Sequence, residues 1–361
     1  MITVKVTTPS GDTPHIKMTT GSKGIIGNYR FLVDKDTGEA DWWVVVHGLP
    51  KQDETLCAKE NTILITQETE FVKQFQQKYV DQFNWVITSQ KPLKHPRKIY
   101  THQGHQSYLF MRRIQPGQSL ENYQNQFRTF DELRAMKVSD IPKTGLMTAV
   151  VSHKTRTVGA VARYQFITKL KEHFGSRFDI YSNQPNVFGP ETKIAGFKWD
   201  AVAPYKYVIA IENSRVPHWW TNHLFDAFLA GAYPFYFGDP SIFEYFPQNS
   251  LTLIDINDIP GAIRTIEKAI SENYFEKYQK EIWEARRLAL DKYNLFQVIA
   301  DTIDTLPSGS EKTTVTINPE RDNAMELKNR LVKEIKKVPL VRSVAKTAYR
   351  TYRTLRYGQK F

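Results

Sequence analysis

Residues 212–231, ENSRVPHWWTNHLFDAFLAG, concentrate side chains that can do chemistry. Glu212, Asn213 and Ser214 end an apolar run, and Thr221 stands where a helix would open. Thr221 is an acceptable N-cap, and Leu224, Phe225, Phe228 and Leu229 recur at the spacing of one buried helical stripe. Such a helix aims free backbone N–H groups and a partial positive charge outward, which makes a ready anion site. His218, Trp219 and Trp220 precede it and offer ring faces and N–H donors at the same rim. The predicted chemistry is a phosphate on the helix tip with a nucleotide or sugar above it. The same spacing also allows a plainer arrangement, with Trp219 and Trp220 packed in the core and His223 satisfied on the helix.

The elements that would position this segment alternate between strand and helix. VKVTT near residue 4, DWWVVVHG from Asp41 and NTILITQ from Asn61 are rich in β-branched and aromatic residues and predict strands. FVKQFQQKYVDQF from Phe71 has helical spacing, and NWVITS follows as a strand. A second series begins at Gly145: strand GLMTAVVS, helix VARYQFITKLKEHFG, strands FDIYS and YKYVIAI, the Thr221 helix, and strands YPFYFG and SLTLIDI. Gly231 is the predicted C-cap of the Thr221 helix. Helices IPGAIRTIEKAISENY and YFEKYQKEIWEARRLALDKYN close the body.

Two such series imply two α/β domains with mainly parallel sheets, divided within 136–145. The expected organisation is residues 1–140, 141–305, a loose polar linker at 306–323 and a basic tail at 324–361. In open α/β sheets ligands bind beyond the carboxyl ends of the strands, so the cleft between the domains is the expected site.

Bulk composition narrows the function classes. Of 361 residues 41% are hydrophobic and 13% aromatic, as in ordinary folded domains. Cys57 is the single cysteine, which excludes an intramolecular disulfide framework and any cysteine-based zinc cluster and fits a reducing compartment. The start, MITVKVTTPSGD, lacks the charged and apolar regions of a signal peptide, and no apolar run of about 18 residues occurs. A cytoplasmic protein is expected. Residues 324–361 hold eleven Lys and Arg against Glu326 and Glu334, a net +9 of the formal +11, so the body is nearly neutral.

Together, YKYVIAIENS, WWTNHLFDAFLAGAYPFYFGDPSIFEYFP and SLTLIDI resemble the donor-binding half of glycosyltransferase family 10, the fucosyltransferases. That family has a Tyr-Lys-Phe strand, a Glu-Asn-Ser turn, Thr-Glu-Lys opening a helix, then an apolar strand ending in Gly. The likeness extends more weakly over about residues 61–304. It implies a GT-B architecture of two Rossmann-like domains, with GDP-fucose in the C-terminal one and a glycan acceptor in the N-terminal one. The implied reaction is a single displacement with inversion, without metal or other cofactor.

Residue roles follow from the same resemblance. ILITQETEFVKQF matches a segment whose glutamate lands on Glu68, a strand-end carboxylate suited to take a proton from an attacking hydroxyl, with Glu70 as the neighbouring fallback. Arg163 in AVVSHKTRTVGAVARYQFITKL falls where the family has an arginine for the diphosphate, and a fixed fork of donors suits phosphate oxygens. Lys154 and Arg156 in the preceding loop would add to it. Glu212 and Asn213 match the family and would hold the nucleoside. Thr-Glu-Lys is Thr221-Asn222-His223 here, which replaces a permanent charge by a histidine charged only part of the time. The departure leaves open another nucleotide-sugar donor, or a non-catalytic glycan- or membrane-binding protein on the same scaffold. Asp226 also matches and would serve either site or fold.

In the tail, Val341, Val344, Ala345, Ala348, Tyr352 and Leu355 recur at helical spacing among the cations. A basic amphipathic helix suits an anionic membrane surface first, a packed helix or a solvated tail second, and nucleic acid third; the family resemblance implies a place beside lipid-linked acceptors. His102 and His105 lack a third ligand at metal spacing and are expected as polar groups at the cleft mouth.

Overall fold

The computed structural model describes residues 1–9, 15–104, 128–151, 158–194 and 198–320. Residues 1–318 form one compact unit. Lys154, Arg156, His105 and the basic tail lie outside the described residues.

Among the described residues, fifteen strands follow in chain order. They are β1 (Ile2–Thr7), β2 (Ile25–Ile26), β3 (Tyr29–Val33), β4 (Trp42–Val46), β5 (Asp53–Cys57), β6 (Thr62–Ile65), β7 (Trp85–Thr88) and β8 (Lys98–Tyr100). The rest are β9 (Gly145–Val150), β10 (Phe178–Ser182), β11 (Lys193–Ile194), β12 (Tyr205–Ile211), β13 (Tyr233–Phe237), β14 (Thr252–Leu253) and β15 (Thr313–Ile317). The first sheet runs β2-β3-β1-β4-β6-β7-β8 and is parallel except for its β2 edge. The second runs β11-β10-β9-β12-β13-β14 and is parallel throughout. The chain is thus a mixed α/β protein on two Rossmann-like sheets, the class its sequence predicts. Parallel strands buried on both faces need continuous apolar runs, and WWVVV, TILI and YPFYF supply them.

One apolar core joins the inner face of the first sheet, through Val4, Val44, Ile63 and Ile87, to Leu224, Phe225 and Phe228 of the Thr221 helix. Phe296 and Ile299, on a helix spanning Leu295–Thr305 beyond the last helix expected, belong to the same core. Its signal was present, with Asn294 as N-cap accepting from the Gln297 amide and buried Leu295, Val298, Ile299 and Ile303 behind it.

Two local expectations are corrected. The helix expected from Phe71 is a single turn, Gln77–Val80. Residues 71–73 instead fold back on Thr69, whose carbonyl accepts from the Val72 and Lys73 amides at 3.0 Å each. Phe71 is left 72% exposed. The loose linker expected at 306–323 contains β15, paired antiparallel with β5 from Thr313–Cys57 to Ile317–Asp53. Asn61 anchors its approach, donating to the Ser308 hydroxyl at 3.2 Å and the Gly309 carbonyl at 3.1 Å. Lys312 pairs with Glu39 and Asp41 at 2.7 Å each.

No described helix is long and apolar enough to cross a membrane.

Candidate active site

The carboxyl ends of the two sheets meet. Beyond β6 the chain runs Thr66-Gln67-Glu68-Thr69-Glu70, and beyond β12 it runs Glu212-Asn213-Ser214. The Thr69 and Ser214 hydroxyls stand 3.4 Å apart, joining segments 145 residues distant in sequence. A second junction sets the Tyr100 ring, at the end of β8, edge-on to His218 with centroids 4.9 Å apart.

On the first-sheet side, the loop carrying Glu68 is held by buried polar groups. Gln103 accepts from the Gln67 amide and, at 2.8 Å, from the Thr66 hydroxyl, while its amide nitrogen donates to Ser89 at 2.9 Å. Gln90 donates to the carbonyls of Glu68 at 2.8 Å and Lys73 at 3.0 Å. Gln67 at φ +48° and His47 at φ +67° both occupy the left-handed region, uncommon for such side chains and tolerated where surroundings over-determine it. Glu68 is half-buried, and burial pushes its carboxyl above the usual range against the pull of Lys73. That direction suits a proton acceptor. Glu70 also faces the seam. Burial, then Glu70 and then Asp239, push the Tyr100 hydroxyl upward, so carboxylates of both halves lie near that ring.

Across the seam, the helix Val158–Phe174 carries Arg163, which is 6% exposed and donates to Asn213 Oδ1 at 3.0 Å. Gly159 permits this approach, because a Cβ there would meet the Asn213 carbonyl oxygen at 2.9 Å. Burial lowers the Arg163 pKa and Glu212 opposes that shift. Thr221 caps the helix Asn222–Leu229, its hydroxyl accepting from the His223 amide at 3.2 Å. Asn222 and His223 are half-buried on the first turn. At the far end Gly231, at φ +61°, and Ala232 close a Schellman turn, donating to Phe228 at 2.8 Å and Ala227 at 3.0 Å.

Burial changes what is expected of Glu212, Trp219 and Trp220. Glu212 is 2% exposed and accepts from the Thr221 amide at 2.7 Å, so it ties β12 to the helix start from beneath. Burial raises its carboxyl to about 7, against Thr221, Arg163 and Tyr236, which all favour the charged form. Trp219 and Trp220 are 7% and 4% exposed, not rim groups. Trp220 stacks on His102 at 5.1 Å and packs against Tyr245 and Tyr293, while Trp219 borders a narrow crevice with Gln67 and His218. His102 is half-buried and lines the same crevice, its ring packed against Trp220, Tyr245 and Tyr293, and burial lowers its pKa to about 4. Asp226 is buried and paired with Lys198 at 2.5 Å, a role within the fold.

His218, expected at the rim with Trp219 and Trp220, stands at the seam. It sits at φ +60°, its amide donates to the Ser241 hydroxyl at 2.9 Å, and its Nδ1 lies 2.5 Å from the Tyr245 hydroxyl. Its contact with Tyr100 is tertiary, and no local pattern carries that.

Among the described residues no group of three or more His, Cys, Asp or Glu could hold a metal ion.

No family model matches the chain. A chicken (Gallus gallus) protein, GDP-fucose protein O-fucosyltransferase 3, is 29% identical over 85 residues, 23% of this chain and 18% of that protein. An α1,3-fucosyltransferase crystallised with GDP is similar at a TM-score of 0.47 and 14% identity, over 82% of this chain and 92% of that one. Anabaena HepE in complex with UDP-glucose is similar at 0.48 and 10%, over 85% and 100%.

Proposed function

We propose that the chain is a glycosyltransferase that uses a nucleotide-sugar donor and inverts the anomeric carbon, with GDP-fucose as the donor and a surface-glycan hydroxyl as the acceptor. The observation that carries this reading is the seam itself, where a raised-pKa carboxylate loop meets a buried arginine and a capped helix N-terminus. In the proposed reaction the acceptor oxygen attacks the anomeric carbon as Glu68 takes its proton. The bond to the diphosphate breaks, and its electrons leave with GDP. Arg163, the positive end of the Asn222–Leu229 helix dipole and His223 neutralise the charge that collects on the diphosphate. Asn213 orients Arg163, and no metal or other cofactor takes part in this scheme.

Asn222 and His223 support a second version, the same chemistry with a different nucleotide-sugar. Thermal-shift screening of nucleotide-sugars separates the two, because the true donor raises Tm most. The decisive experiment is GDP release on mixing GDP-fucose with a glycan panel. A chain that binds nucleotide-sugar yet releases no nucleotide with any acceptor is a binding protein, and the catalytic reading falls. We further propose that residues 324–361 hold the enzyme at the cytoplasmic face of an anionic membrane, beside lipid-linked acceptors.

A further inference from the structure

We propose that a cavity at the carboxyl ends of β1 and β3 is a separate saccharide site, which binds the non-reacting part of a neutral oligosaccharide. Calling that oligosaccharide the acceptor rests on the transferase reading above; the site itself does not. The cavity holds about 580 Å³, within the range of small-molecule sites, and is bordered by Thr7, Thr8, Asp34, Asp36, Lys51 and Glu54 among others.

Its position in the topology is the first argument. The chain passes from β1 to β3 on one side, then returns to lay β4 on the other side of β1. Strand order therefore reverses between β1 and β4, and ligands of open α/β sheets settle outside the carboxyl ends at such a reversal; the cavity borders it through Thr7 and Thr8 beyond β1 and Pro50 to Gln52 beyond β4. The seam with Arg163 and Glu68 lies at the ends of other strands, so it leaves this reversal unused.

The lining is the second argument. Its walls are preset: Asp34 accepts from the Thr8 amide at 2.6 Å and the Thr8 hydroxyl at 2.7 Å. Asp53 pairs with buried Lys5 at 2.9 Å, and the Trp43 indole donates to the Thr7 hydroxyl at 3.0 Å. Asp36, Lys51, Gln52 and Glu54 are exposed at its border. Carboxylates, an ammonium and an amide supply both acceptors and donors, the mixture that neutral hydroxyls require. Asp34, Asp36, Asp53 and Glu54 outnumber Lys35 and Lys51 in the lining, which disfavours phosphorylated or acidic ligands.

Connection to the seam is the third. The loop after β4 runs from His47 to Gln52. Its His47 end contacts the Thr66 carbonyl at 3.2 Å and accepts from Lys73 at 3.3 Å, on either side of Glu68. Its other end, Pro50 to Gln52, lines the cavity. From β1 to β6 is two strand spacings, about 10 Å. A short oligosaccharide could therefore reach from the cavity to Glu68, whereas a monosaccharide could not.

The test uses full-length fluorescent protein on an array of neutral and acidic glycans of one to four residues, with GDP calorimetry in parallel. The expected result is retention of neutral tri- and tetrasaccharides and weak retention of monosaccharides. The Asp36→Ala/Lys51→Ala/Glu54→Ala variant, altered only at exposed positions, should lose that retention at least tenfold with an unchanged melting temperature and GDP affinity. Undiminished retention by the variant, or retention of no neutral oligosaccharide by the unaltered protein, overturns the site. Loss of GDP binding from both proteins, with the glycan pattern intact, would instead remove the transferase reading and leave the site standing.

Discussion

Glu68 and Glu212 are two carboxyls raised by burial that the fold uses differently. Glu68 stands half-buried on a rigid loop, able to exchange a proton with a ligand. The Glu68→Gln substitution should therefore lower transfer by two or more orders of magnitude, the scale of general-base catalysis, and leave GDP affinity near normal. Near-normal turnover by that variant would remove Glu68 from the base role. Arg163→Ala should weaken GDP binding at least tenfold, about 1.4 kcal/mol, and an unchanged calorimetric affinity would reject the phosphate role. Glu212 is enclosed, and its effect should appear in stability. Its carboxyl binds a proton more tightly folded, near 7, than at its ordinary 4.5. Its stabilising contribution is therefore complete below about 4.5 and is lost as pH rises through about 7, by at most about 3 kcal/mol. Melting curves of Glu212→Gln and the unaltered protein should diverge from pH 5 to pH 8, with the variant gaining. Parallel curves would contradict this.

At the scale of elements, β15 and the Thr221 helix show how far local pattern reaches. The helix was legible because its cap, stripe and terminal glycine all lie within eleven residues, 221–231. TTVTI has the composition of a strand, yet its polar surroundings concealed it, because its partner β5 is more than two hundred residues earlier. Ile317 is fully buried against Cys57, Leu64 and Val86 in the outer core of the first sheet. Replacing Ile317 by Ala should cost about 2–5 kcal/mol in urea unfolding while leaving GDP affinity unchanged. A cost under about 0.5 kcal/mol would show that β15 is peripheral to the fold. The failed helix at 71–83 is the converse case. Its periodicity was real, but Thr69 and Gln90 draw residues 71–73 into the loop that carries Glu68.

For the whole molecule, charge is segregated, with a nearly neutral body and a tail of net +9. Each cation at an anionic surface contributes on the order of 1 kcal/mol, so full-length protein should float with anionic liposomes and a chain lacking residues 324–361 should not. Failure of the full-length protein to float defeats membrane attachment.

Apolar runs separated by helical patterns determined the two parallel sheets, because burial on both faces demands such runs wherever they occur. Sequence likewise determined the capped helix, whose hydrogen bonds close within a few residues. Tertiary structure alone decided which polar groups face the seam. It buried Glu212 and Trp220, brought Thr69 to Ser214 and Tyr100 to His218, and set a cavity at the reversal of the first sheet. Those outcomes depend on pairing and packing between distant segments, whose geometry no local spacing specifies.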